Sequence, residues 1–422
     1  MTATLQQVPL PLREQAEVRD RWLAHRISAL LPGWMDDAGI DLWVLVGREY
    51  HEDPVLSTML PATWLSARRR TVLLLHRTAG GVDPLAVARY PVGMFRQAWR
   101  PEDDDPSATK DDAQWAAVRR AVEAADPRRI GIDVSATFAH ADGLSHTDHE
   151  QLLAALGPWA DRVVPAEALA VQWLETRLPE EVAAQHAMNA LVHTTIDEAF
   201  SRAVITPGTT SALDVAWWIR QRFHDLGVDP WFQPTVDVQR AGLPGVHEDL
   251  VVEPGDLVHC DVGLRTLGLT TDTQRNAYVL RPGEAAPPAG LVAAHAVGNR
   301  MQDLVTAAMV PGRTGDEVLA AARAGAAAEG IDGDVYSHPV GHHGHGAGPA
   351  IGMWDAQGGV PGTGQAVVRT DTTWALELCV RVPVAEWDGQ VVRMALEQGI
   401  ALTGDGVVYL DDRQTELITV PG

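Results

Sequence analysis

The sequence predicts an α+β protein of two domains: a smaller α/β domain over residues 1–175, then an α+β domain over residues 176–422 built from duplicated halves. Three observations carry this. A chain of 422 residues exceeds what one ordinary core organises. Apolar β-type runs alternate with helical patterns through the first 175 residues. After residue 176 the same pattern of turn, cap and helix occurs twice, about a hundred residues apart.

In order along the chain, an amphipathic helix pattern runs from Arg13 to Met35 and stops near Gly39. Leu42–Val46, Val72–Leu75 and Ile130–Val134 read as strands, and His149–Leu156 as a helix. The acidic stretch Pro101–Pro106 reads as an exposed loop. Near Thr176 a new segment starts. Pro179-Glu180-Glu181 has the composition of a helix first turn, with acids favourable to the dipole. Ile205–Thr210 and Met309–Thr314 each read as a Pro-Gly turn and a Thr cap, and each precedes an amphipathic helix, ending near Gly227 and Gly330. A duplicated half-domain with a site between the halves follows from that repeat.

Composition narrows the function. With 33 basic against 56 acidic residues, the net charge of −23 disfavours a nucleic-acid partner, whose phosphates need Lys and Arg. No apolar run reaches the roughly 20 residues of a membrane helix, and Met1–Gln7 lacks a signal-peptide pattern. A cytoplasmic protein without membrane partners is therefore expected. Cys260 and Cys379 cannot form a CxxC motif, and a reduced pair is expected over a disulfide.

Acids and histidines of the C-terminal domain carry the chemistry. Leu257–Gly263 is a strand with Asp261 near its end, and Asp272 follows eleven positions later. A hairpin turning at Gly268 would set the two aspartates on paired strands, about 5 Å apart, where they repel unless a cation or proton lies between them. Ser337–Pro349 packs four histidines among glycines, and imidazole suits several transition metals. Trp374–Val380 is an apolar strand interrupted by Glu377, and Val391–Glu397 repeats the arrangement with Glu397. A carboxylate in such a strand is costly unless paired or metal-bound. Four carboxylates and an imidazole make an oxygen-rich set suited to two divalent ions, Mn²⁺ first, with Co²⁺ or Zn²⁺ also fitting.

The order Asp, eleven positions, Asp, a Gly-His-rich segment, Glu, Glu resembles the M24 metallopeptidases, which include methionine aminopeptidase, aminopeptidase P and prolidase. The resemblance covers residues 176–422 and implies a pita-bread fold there. The first 175 residues are similar only in layout to a creatinase-like N-terminal domain. It implies metal ligands Asp261, Asp272, His345, Glu377 and Glu397, with His345 in Gly344-His345-Gly346-Ala347-Gly348 and His342 as the rival histidine. Asp272 and Glu397 would bridge two ions, with Asp261 on one and His345 with Glu377 on the other. Glu377 would move a proton to the leaving nitrogen, and His247, His338, His342 or His343 would stabilise the tetrahedral intermediate. Arg393 stands in for the family's arginine ahead of the last glutamate. The implied activity is cleavage of an amide preceding proline in a small peptide by a homodimer. The Arg48–Pro54 segment is read as a solvated loop, or as one reaching a neighbouring subunit's site.

Two departures stand out. The family carries another histidine seven positions after the ligand histidine, where counting from His345 gives Gly352. Arg393 precedes Glu397 by four positions rather than two. These suggest an altered substrate shell and keep open a hydrolase or lyase of a non-peptide small molecule, or a catalytically silent binding protein, on the same fold. Trp354 and Trp387 are placed as pocket walls, and Cys379 shares the face of Glu377.

Overall fold

The computed structural model describes residues 8–101 and 109–422, so Met1–Gln7 and most of the acidic stretch Pro101–Pro106 lie outside the described residues. The chain divides into two compact units: Leu10–Leu174, and Glu175–Gly422 together with the described residues Val8 and Pro9.

The first unit is a six-stranded mixed sheet covered on both faces. Its central strand, Leu42–Arg48, pairs antiparallel with Arg70–Thr78 and parallel with Ile130–Ile132. Alternation divides its apolar run. Leu42, Val44 and Val46 pack with Ala117, Val118 and Val122 of the helix Lys110–Ala125 and with Leu152 and Leu156 of the helix His146–Leu156. Trp43, fully buried on the other face, meets Trp173 edge-on at 6.3 Å, as does Trp34. Both faces of the strand can be covered because each parity is apolar. The long N-terminal helical pattern holds, but it is interrupted by a π turn at Arg26–Leu30, ahead of Pro32, whose ring cannot accept a regular upstream turn.

The Arg48–Pro54 segment is only partly the solvated loop expected. Tyr50 is exposed, whereas Arg48 pairs with Asp148 at 2.9 Å and Asp53 is buried as the cap of the helix Pro54–Met59. Burial pushes the Asp53 carboxyl up to about 7. An acid whose folded pKa is raised holds its proton when the unfolded chain has lost it, so its contribution is full at low pH and is lost as pH rises through about 7. Amides of Leu42–Arg48 in the full chain should therefore exchange faster at about pH 8 than at about pH 5, after correction for intrinsic chemistry. Asp53→Asn, which keeps the capping oxygen, should flatten that difference; an unchanged slope in the variant rules the explanation out.

The second unit is a curled ten-stranded sheet with the pita-bread architecture. Its path runs Gly333–Val335, Thr372–Val384, Gln390–Thr403, Thr273–Val279, Leu257–Val262, Thr235–Arg240 and Leu243–His247. The two long strands alternate strictly. Trp374, Leu376, Leu378 and Val380, with Leu396 and Ile400, bury against Leu291, Met301 and Val305 of the helix Ala289–Ala308 and Val318 and Leu319 of the helix Gly315–Ala328. The opposite parity, with Ala375, Glu377, Cys379, Ala395 and Glu397, forms the other face.

The repeated caps are real, with one correction. Thr314 caps its helix and Glu317 reaches back to the Thr314 N–H at 2.8 Å. In the first repeat the cap is Ser211, not Thr210, and Asp214 answers it at 2.9 Å. Thr210 instead ties the preceding turn together, accepting from Thr206 N–H at 3.0 Å. Each helix thus satisfies two otherwise orphaned N–H groups at its start. Among the described residues no helix is long and apolar enough to cross a membrane. Cys260 and Cys379 are free and buried.

Candidate metal centre

Strand register, rather than sequence proximity, assembles the site. Asp261 lies opposite Gln274, Gln274 opposite Glu397, and Glu397 opposite Glu377. Paired residues point to one face, so these four side chains form a row across four strands. Asp272 immediately precedes the strand Thr273–Val279 with the same parity as Gln274. The hairpin between the aspartates turns at Leu267-Gly268, both with positive φ (56° and 75°). Asp272 is therefore a diagonal neighbour of Asp261 rather than its direct partner.

His338 enters from a two-residue strand that pairs with Ala375, on the face of Glu377. The neighbouring Ser337 clamps that position: its hydroxyl donates to the Glu377 carbonyl at 2.9 Å and accepts from the Glu377 N–H at 3.0 Å. The His338 Nε2 lies 3.8 Å from an oxygen of Asp272 and 3.8 Å from an oxygen of Glu377.

Among the described residues, three overlapping groups have ligand atoms within 4.8 Å of one another: Asp261, Asp272 and Glu397; His338, Glu377 and Glu397; and Asp272, His338 and His345. Asp261 Oδ1, Asp272 Oδ1, both oxygens of Glu397 and His338 Nε2 are buried without a hydrogen-bond partner. Such atoms are costly unless something accepts or supplies charge there. The electrostatics agree. Burial first, then the neighbouring carboxylates, raises Asp261 to about 6, Glu377 to about 8, and both Asp272 and Glu397 well above the ordinary carboxylate range. Burial, with His345 adding to it, lowers His338 to about 4, leaving a neutral imidazole. So crowded, the acids hold protons that a divalent cation would displace, whereas the imidazole is already in its neutral, ligating form. The donor set fits such an ion.

The other sequence candidates take different places around this row. His345 is exposed, meets Asp272 and His338 only, and stacks edge-on to Trp231 at 5.1 Å and to His338 at 4.8 Å. His342 is in none of the groups; its Nδ1 lies 3.1 Å from the Gly268 carbonyl, tying the glycine-rich loop to the hairpin before Asp272. His247 is likewise outside them, with Nε2 at 3.2 Å from the Pro244 carbonyl of its own strand. Arg393 shares the face of Glu397 and donates to the Tyr336 hydroxyl at 3.2 Å. Trp387 belongs to the core beneath the sheet, which corrects its placement as a pocket wall, whereas Trp354 is exposed. Cys379 does share the Glu377 face. The loop glycines serve packing: a Cβ at Gly344 would sit 2.2 Å from Trp231, and one at Gly346 2.7 Å from the Pro339 carbonyl.

Sequence reasoning missed Trp231, Asp237, His259 and Gln274. Trp231 donates to the Thr271 carbonyl at 2.8 Å, beside Asp272. His259 and Gln274 each stand two positions from a proposed ligand in a strand, so parity alone placed them on the same face.

Comparison with known proteins agrees with this construction. The fold is similar to the X-Pro aminopeptidase of Thermotoga maritima, with TM-score 0.65 and 17% identity over 90% of this chain and 98% of that one. It is also similar to an Xaa-Pro dipeptidase from Bacillus anthracis (0.63, 17%, 96% and 99%) and to a prolidase from Pyrococcus horikoshii (0.58, 17%, 96% and 100%). No curated protein sequence matches the chain. The sequence profile described as metallopeptidase family M24 matches residues 184–408, more than half of the chain and all the residues of the carboxylate row. A family whose members use divalent metals thus coincides with a donor set that can hold one, and this chain belongs to it, as an enzyme of the M24 metallopeptidase type.

Proposed function

We propose that this enzyme is a hydrolase using two divalent cations, held by Asp261, Asp272, His338, Glu377 and Glu397, and that it cleaves the amide bond preceding proline in small peptides. The observation that carries it is the set of four carboxylates beside His338, two buried and two half-buried, in which Asp261, Asp272 and Glu397 hold buried oxygens without a hydrogen-bond partner. Mn²⁺ suits the oxygen-rich set, and Co²⁺ or Zn²⁺ can substitute.

Choosing His338 over His345 changes the substrate argument. The resemblance places a second histidine seven positions after the ligand, and His345 stands seven positions after His338. Gly352 then replaces nothing, and of the two grounds for a non-peptide substrate only the Arg393 spacing is left.

Ions held by Asp261, Asp272, His338, Glu377 and Glu397 would supply Lewis acidity and a water whose pKa is near neutrality. Glu377, with one oxygen toward His338 and the other bonded to Gln274, holds the proton taken from water and passes it to the leaving nitrogen. His345, exposed beside Asp272 and backed by Trp231, donates a hydrogen bond to the oxygen that gains charge on attack.

Chelation should abolish hydrolysis of Xaa-Pro dipeptides, and Mn²⁺ should restore it, with Xaa-Ala peptides and small non-peptide amides cleaved far more slowly. Preference for a non-peptide amide would overturn the substrate; full activity in a Glu377→Gln, Asp261→Asn double variant would overturn the mechanism.

A further inference from the structure

A buried hydrogen-bonded chain leads into the carboxylate row along the same face of the sheet. Asp237 lies opposite His259, and their carboxylate and Nδ1 are 2.8 Å apart. His259 Nε2 lies 3.0 Å from the Gln274 side-chain oxygen. The Gln274 amide nitrogen is 2.5 Å from Glu377 Oε1 and 3.5 Å from Asp261 Oδ2. Asp237, His259 and Gln274 are all buried.

The donor of each contact follows from the acids: Gln274 donates to Glu377 and Asp261, and His259 donates both to the Gln274 oxygen and to the Asp237 carboxylate. Glu377 and Asp261 can only accept when ionised, so Gln274 presents its NH₂ to them and its oxygen to His259. His259 Nε2 therefore carries the hydrogen that this oxygen accepts. At the other end Nδ1 faces the Asp237 carboxylate, which fixes the ring's orientation. A flipped Gln274 would set oxygen against oxygen at 2.5 Å.

We infer that Gln274, oriented by His259 and Asp237, is a positioning residue that occupies one oxygen of Glu377 and approaches one of Asp261, leaving Glu377 Oε2 and Asp261 Oδ1 to face the cations. The free atoms match: Glu377 Oε2 is the oxygen 3.8 Å from His338, and Asp261 Oδ1 is buried without a partner. A glutamine there also brings N–H dipoles among four acids without adding a fifth charge. The hydrogen bond from Gln274 pulls the Glu377 carboxyl back toward ionisation against burial and Asp261. Groups of this kind behind metal ligands typically control metal affinity by about 10–100-fold.

The inference rests on the cation-binding reading above, and the test separates the two. Metal-free full-length protein is titrated calorimetrically with Mn²⁺, with circular dichroism as the check on folding. Gln274→Leu is expected to weaken Mn²⁺ binding by about 10–100-fold, and Asp237→Asn by less. Because Asp237 acts through Gln274, adding Asp237→Asn to Gln274→Leu should cost nothing further, a non-additivity that two independent structural defects would not produce. Wild-type affinity in folded Gln274→Leu, or additive losses in the double variant, overturns the inference. If Gln274→Leu does not fold, Asp237→Asn decides alone, and unchanged affinity there overturns it. A wild-type protein that takes up no Mn²⁺ instead refutes the cation-binding reading itself.

Discussion

His338→Ala will lower turnover of an Xaa-Pro dipeptide by about a thousand-fold or more, because several kcal/mol of transition-state stabilisation depend on a complete metal set. The purified variant will also carry less metal, measured by elemental analysis. His345→Ala behaves differently. It should keep the wild-type metal content and lose about 10²–10³ in kcat, the usual cost of one donor to a developing oxyanion. The contrast follows from position. His338 contributes to groups with Glu377 and Glu397 as well as Asp272, whereas His345 reaches Asp272 and His338 alone. If His345→Ala loses metal and His338→Ala retains it, the assignment is inverted and the Gly352 departure regains its meaning.

Gly352→His is the second decisive substitution. On the discarded register it would supply the missing family histidine and raise activity. The structure requires the opposite. Gly352 has φ +73°, and a Cβ there would lie 2.1 Å from the Val335 carbonyl oxygen and 3.1 Å from Leu319. Val335 pairs with Leu378 in the strand that carries Glu377, so the backbone cannot retreat without moving the site. Left-handed strain and overpacking together should destabilise the second unit by about 3 kcal/mol or more, visible as a lower denaturation midpoint. A variant as stable as wild type with higher Xaa-Pro turnover would refute the packing argument.

Both predictions turn on a histidine that local pattern could not choose. His342 and His345 each adjoin a glycine, and His338 and His345 each have a glycine three positions on. Spacing motifs thus fit more than one register. What selects His338 is its pairing with Ala375 and the Ser337 clamp on Glu377, contacts some forty positions apart in sequence.

The carboxylates were legible for the opposite reason. An acid within an apolar strand is an energetic anomaly whatever the strand's neighbours are, so Glu377 and Glu397 announced themselves locally. The same holds for the apolar parities that bury against helices and for the repeated turn ahead of a capped helix, set by side chains within a few positions of one another, although the first cap is Ser211 and not the threonine of the repeat. Tertiary structure decided which strands lie side by side. That order makes Asp261, Gln274, Glu397 and Glu377 one row, puts Asp237 and His259 beside it on the same face, and pairs His247 with Val238. Strand order depends on the burial of whole sheet faces against the helices, a sum over many distant contacts that no short window of sequence contains.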